Sequence, residues 1–159
     1  MAEGSSGAGK QPSEVRYLHP QIAPKTHVHN ELLSRLIGYR LHSVQFAQSY
    51  LQFGFESARV GDFPILTCQV MPTVTSVAGT AADGGAGYAD AIRSLIGDEV
   101  VDTAEGPNRG FRVGFVHRVL VLRPTARDLA GPVIATLSDF ADGSCATWLP
   151  GGNAYEYLH

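Results

Sequence analysis

The sequence predicts an α+β domain: a mostly antiparallel β-sheet or split barrel with two short helices, arising by internal duplication of a helix-β-β-β unit. Three observations carry this. Leu51, Phe53 and Phe55 fall on one face and Tyr50, Gln52 and Glu56 on the other, the period of a strand with one buried face. The tripeptide Leu36-Ile37-Gly38 returns as Leu95-Ile96-Gly97, each time after apolar residues at helical spacing. Near the C-terminus, Asp142-Gly143 separates two apolar-rich runs, a strong hairpin signal.

Residues 1–29 are rich in Gly, Ser, Pro, Lys and Gln and show no apolar period, so a flexible N-terminal arm is expected. Val15, Tyr17, Leu18 and Ile22 within it could cover an apolar groove. A single β-rich domain then spans 30–159. Asn30 is a good N-cap, Leu32, Leu33, Leu36 and Ile37 follow at helical spacing, and Gly38 stands where a helix ends in the left-handed region. Leu41–Phe46, Tyr50–Phe55 and Ile65–Met71 read as three strands, the last with Leu66, Cys68 and Val70 alternating against Thr67 and Gln69. Pro72 ends it, because proline has no N–H for a ladder. Residues 73–87 hold the run Ala78-Gly79-Thr80-Ala81-Ala82-Asp83-Gly84-Gly85-Ala86-Gly87, and a mobile loop is expected there.

The first pattern then recurs. Ala91, Ile92, Leu95 and Ile96 repeat the helical spacing ahead of Gly97. Phe53-Gly54-Phe55 matches Val113-Gly114-Phe115, and Val70-Met71-Pro72-Thr73 matches Leu122-Arg123-Pro124-Thr125, in the same order. The repeats are 30–73 and 88–125. A closing hairpin over 132–150 follows, from Val133–Phe140 and Cys145–Leu149. The competing account is that short amphipathic helices and hairpins resemble one another because the physics of patterning is shared.

Composition narrows the function. Lys and Arg number 12 against 15 Asp and Glu, a net charge of −3, which argues against a nucleic-acid partner, since such proteins neutralise phosphates. No apolar run reaches the roughly 18 residues a membrane-spanning helix needs. Met1-Ala2-Glu3-Gly4-Ser5-Ser6-Gly7 has neither a basic start nor an apolar core, so the chain is expected to be cytoplasmic. Cys68 and Cys145 lie in strand-like runs and read as small buried hydrophobes rather than a disulfide.

Leu36-Ile37-Gly38-x-x-Leu41-x-x-Val44-x-Phe46, Leu51-Gln52-Phe53-Gly54-Phe55 and Leu149-Pro150-Gly151-Gly152 together resemble small uncharacterised bacterial β-rich proteins, some of them immunity-like partners of secreted toxins. The resemblance covers roughly residues 32 to 158. It implies a β-rich fold and a protein partner, and it carries over no catalytic residue.

Among chemical constellations, His27-Val28-His29 with His19 is the best metal candidate, but a solvated arm accounts for it better, and no metal or cofactor is assigned. Cys145 and His117 could form a thiol and base on paper, as any such pair could. Arg109, Arg112, Arg118, Arg123 and Arg127 make the second half locally basic, and Phe140, Trp148, Tyr155 and Tyr157 gather aromatics near the C-terminus. The residues singled out for ligand or partner binding are Arg112, Arg118, Trp148, Tyr155 and Tyr157. The expected function is a non-catalytic protein-binding module, immunity-like or a subunit of a small bacterial complex, whose partner is another protein or itself. The alternatives are a small enzyme and a homodimeric small-ligand-binding protein with a pocket on the sheet.

Overall fold

The computed structural model describes residues 31–57 and 61–158. The N-terminal arm, with His19, His27, His29 and the cap residue Asn30, lies outside the described residues. Among the described residues ten strands follow in chain order: β1 Arg40–Phe46, β2 Leu51–Glu56, β3 Ile65–Cys68, β4 Thr73–Ser76, β5 Gly79–Ala81, β6 Asp102–Gly106, β7 Gly110–Gly114, β8 Arg118–Leu122, β9 Ala135–Ser138 and β10 Ala146–Trp148. One helix, α1 (Tyr88–Arg93), separates β5 from β6. The protein is mostly β, as two five-stranded antiparallel sheets that do not close into a barrel. The first sheet runs β10-β9-β3-β2-β1 and the second β5-β4-β8-β7-β6.

Alternation decides which face is buried. Leu51, Phe53, Phe55, Leu66, Cys68, Ala135 and Leu137 turn inward from the first sheet; Val74, Phe111, Val113, Leu120 and Leu122 do so from the second. These inner faces contribute to one core, joined by Leu33, Leu36, Ile92 and Leu95. At about 25 cal/mol per Å² of apolar surface removed from water, each such Leu or Phe contributes roughly 1.5–3 kcal/mol.

The sheets are joined by exchange. β1-β2-β3 and β6-β7-β8 are each consecutive antiparallel meanders. The strand that extends each meander comes from the far half of the chain: β9 pairs with β3, and β4 pairs with β8. Each then carries its own hairpin partner, β10 or β5.

Between the meanders, segments 38–41 and 97–100 pair reciprocally. Gly38 N–H donates to Val100 O at 2.8 Å, and Gly97 N–H to Leu41 O at 2.8 Å. Val100 N–H donates to Tyr39 O at 2.8 Å, and Leu41 N–H to Asp98 O at 3.0 Å. Arg40 and Glu99 stand opposite each other at the centre.

Several expectations are corrected. The first predicted helix is a 3-10 turn, Leu33–Leu36: Gly38, at φ 93°, stops the chain after one turn, and Tyr39 N–H bonds back to Leu36 O at 2.9 Å. Among the described residues only α1 is an α-helix, and it ends at Arg93, ahead of Leu95 and Ile96, so the expected pair of short helices is one helix and one 3-10 turn there. The expected loop 73–87 holds the β4–β5 hairpin, closed by a Thr75–Thr80 hydroxyl contact at 3.2 Å. Val74 is the one buried side chain of that hairpin, with Ala81 packed half-buried beside the core, which is why no period shows in the sequence. Cys68 is buried but Cys145 is exposed, because it precedes β10 in the turn region rather than occupying the strand; both are free thiols. The closing hairpin stands where expected, with Ala135 opposite Trp148 and Leu137 opposite Ala146.

Candidate interaction surface

The five residues flagged from sequence fall in three places. Arg112 is on the outer face of β7, between Ala104 and Val121 on the flanking strands, and is half-buried. Arg118 opens β8 and ties it to the end of α1: its guanidinium donates to Ser94 O at 3.0 Å and Ser94 Oγ at 2.8 Å, with Asp98 at 3.9 Å. Trp148 is buried, tilted on Phe111 with ring centroids 4.7 Å apart, and its Nε1–H donates to Glu105 at 3.0 Å. Tyr155 is buried and donates to Leu122 O at 2.8 Å; Tyr157 donates to Pro124 O at 2.7 Å and lies under the Arg123 guanidinium at 4.8 Å. Burial pushes the Tyr155 hydroxyl strongly up from its usual range, and Tyr157 rises for the same first reason. Tyr155 and Tyr157 therefore sit together, ring centroids 6.3 Å apart, and bond to Leu122 and Pro124, while Trp148 reaches the second sheet from the first through Phe111 and Glu105.

Two arrangements had no signal strong enough to find them in the sequence. The first is a polar latch around Asp62, only 3% exposed. Its carboxylate accepts from Tyr39 OH at 2.9 Å and from the Ala141 N–H. Phe140 beside it packs edge-on against Tyr39 and lies under the Arg35 guanidinium at 4.2 Å, and Arg35 pairs with Asp142 at 3.2 Å. Burial raises the Tyr39 hydroxyl, helped by its bond to Asp62. A buried carboxylate with two donors is satisfied, so this cluster joins the first 3-10 turn to the Asp139–Ser144 turn.

The second is the open edge of the first sheet. Along β1 only Leu41 is buried; Arg40, His42, Ser43, Gln45 and Phe46 are exposed. The hairpin bond from Ala47 N–H to Tyr50 O at 3.0 Å makes 47/50 a hydrogen-bonded pair. Alternation then makes Gln45/Gln52 and Ser43/Gly54 bonded pairs too, so the N–H and C=O groups of Val44 and Phe46 point away from β2. No strand among the described residues pairs with them. Their side chains share the inner face with Phe53 and Leu51, yet Phe46 is 49% exposed. On the outer face, His42 packs edge-on against Phe63, itself 55% exposed, with centroids 6.3 Å apart. The available signal was the lack of any Asp, Glu, Lys, Arg or Pro over 42–46, where edge strands usually carry one.

Among the described residues no group of three or more His, Cys, Asp or Glu is placed to hold a metal ion, and no helix is long and apolar enough to cross a membrane. Compared with known proteins, the chain matches no family model, no curated protein and no solved structure.

Proposed function

We propose that this chain is a cytoplasmic, non-catalytic protein-binding module, of the immunity-like kind or a subunit of a small bacterial complex, that binds through the β1 edge. The observation behind the reading is the outward backbone of Val44 and Phe46, which no strand among the described residues pairs, flanked by the exposed side chains of Phe46, His42 and Phe63. An added strand draws affinity from main-chain hydrogen bonds and specificity from the side chains alongside. Replacing Val44 by Pro tests it, because the lost N–H faces away from β2 and edge strands tolerate proline there. Retention from extracts of the native cells, quantified for wild type, Val44→Pro and an Arg112→Ala control, should show a partner lost with Val44→Pro alone. Equal retention by all three refutes the reading.

The duplication belongs to the same proposal. Its support is the reciprocal bonding of 38–41 with 97–100, and a like pairing in each meander, Ser43 against Gly54 and Asp102 against Gly114. A Cβ on Gly54 would meet the Ser43 hydroxyl, and one on Gly114 the Asp102 carboxylate. Gly84-Gly85-Ala86-Gly87-Tyr88 after β5 also parallels Gly151-Gly152-Asn153-Ala154-Tyr155 after β10, with Gly84 and Gly151 at φ 88° and 85°. On this reading each repeat includes its exchanged hairpin and reaches beyond 30–73 and 88–125. The Val70–Thr73 match is displaced along the strand, since the registers align Cys68 with Leu122.

A further inference from the structure

We propose that the partner at the β1 edge is a second copy of this chain, paired β1 to β1 antiparallel about a two-fold axis through Gln45. This rests on the reading of that edge as the binding surface and names its occupant.

The register follows from which groups are free. An antiparallel neighbour must offer an N–H and a C=O to each of Val44 and Phe46. Centred on Gln45, Val44 of one copy faces Phe46 of the other, and both exchange two bonds, giving four in all. Centring on Val44 would bring Phe46 against His42, where the strand bulges and where Leu41 is already bonded to Gly97 and Asp98. Centring on Phe46 would bring Val44 against Gln48, inside the hairpin turn. Only the Gln45 register uses every group of the strand that no described strand pairs.

The side chains agree with that register. The Val44 and Phe46 side chains of opposite copies become cross-strand neighbours on the inner face, covering Phe46, which is now half-exposed. Two identical strands place like against like, so any charge near the axis would repel its own copy. Segment 42–46 carries no formal charge with His42 neutral. The corresponding strand of the other sheet, β6, carries two carboxylates, Asp102 and Glu105. The paired segment is short, stopped by residues 97–98 at one end and by the 47–50 turn at the other, so the dimer is a weak one that dilution dissociates.

Sedimentation velocity of the full chain over a wide concentration range should show a reversible monomer–dimer equilibrium. Gln45→Lys and Gln45→Glu each place two like charges on the axis and should weaken the dimer at least about tenfold. An equimolar mixture of the two variants should restore it. The Gln45 side chain is exposed, so both variants should melt like wild type. A second measurement avoids charge altogether. The two Gln45 Cα atoms would form a non-bonded pair about 4.5 Å apart, within the disulfide range. Gln45→Cys in a Cys145→Ser background should therefore give a linked dimer on mild oxidation. A wild-type chain that stays monomeric throughout overturns the proposal, as does a dimer indifferent to Gln45→Lys or not restored by mixing. If that monomer still loses a foreign partner on Val44→Pro, self-pairing fails and the edge-binding reading stands.

Discussion

β1 and β6 hold the same position, outermost in their meanders, yet one is open and the other covered. Every residue of β6 is buried or half-buried: the Leu33–Leu36 and Asn153–Tyr155 turns pack against it, and Trp148 reaches Glu105 from the other sheet. On β1 the side chains from His42 to Phe46 are exposed apart from half-buried Val44. Edge strands are thus made safe or made available by what the rest of the chain lays over them, and little by their own sequence.

The comparison can be broken most forcefully in the core. Phe111→Ala on β7, beneath the covered edge, should cost about 3–5 kcal/mol, the range for emptying a packed aromatic site. Phe46→Ala should cost less than about 1 kcal/mol, because half its surface is already in water. Paired denaturant melts decide this, and similar losses would mean the β1 edge is covered in solution.

Gly110 gives the next largest effect. It sits at φ 68°, and a Cβ there would run into the Leu122 carbonyl and the Tyr155 ring. Gly110→Ala should cost roughly 2–3 kcal/mol, combining left-handed strain with overpacking. Its counterpart on β2 is Tyr50, half-buried at the open hairpin, where Tyr50→Ala should cost under about 1 kcal/mol in the same melts.

The covered side should also fail first in alkali. Burial raises the Tyr155 and Tyr88 hydroxyls in the folded state, while unfolded tyrosine ionises near pH 10. The unfolded chain therefore holds fewer protons above that pH. The stabilisation is complete below about pH 10 and is lost as pH rises toward the folded values. Tyr155→Phe should lower the melting temperature at neutral pH, through the lost bond to Leu122 O, about 1–3 kcal/mol. It should also make the decline above pH 10 shallower. A decline as steep as wild type would remove Tyr155 from the account.

The smallest and most symmetric effect belongs to the paired glycines. Gly38 and Gly97 lie at φ 93° and 99°, with open space where a Cβ would stand, so substitution meets backbone strain alone. Gly38→Val and Gly97→Val should each cost slightly over about 1 kcal/mol, equal within error. Unequal costs would sharpen the difference between the halves and weaken the duplication.

Much of this fold was legible beforehand where one residue or a short period carries the physics. Leu51, Phe53 and Phe55 declared a buried face, Asp142-Gly143 declared the last hairpin, and Gly38 and Gly97 declared positive φ. The candidate surface was not legible. Alternation places Phe46 in a strand, but its 49% exposure depends on what the rest of the described chain leaves uncovered.

Sequence alone determined which side chains of each strand turn inward, because a period of two is a local property of the extended backbone. Only the tertiary structure decided which strands are neighbours. Any strand's N–H and C=O groups can pair with any other's, so nothing in Thr73–Ser76 announced β8 as its partner, nor in Ala135–Ser138 announced β3. Those long-range pairings turned an expected loop into a hairpin. The packing around them buried β6 and left the backbone of Val44 and Phe46 without a neighbouring strand among the described residues.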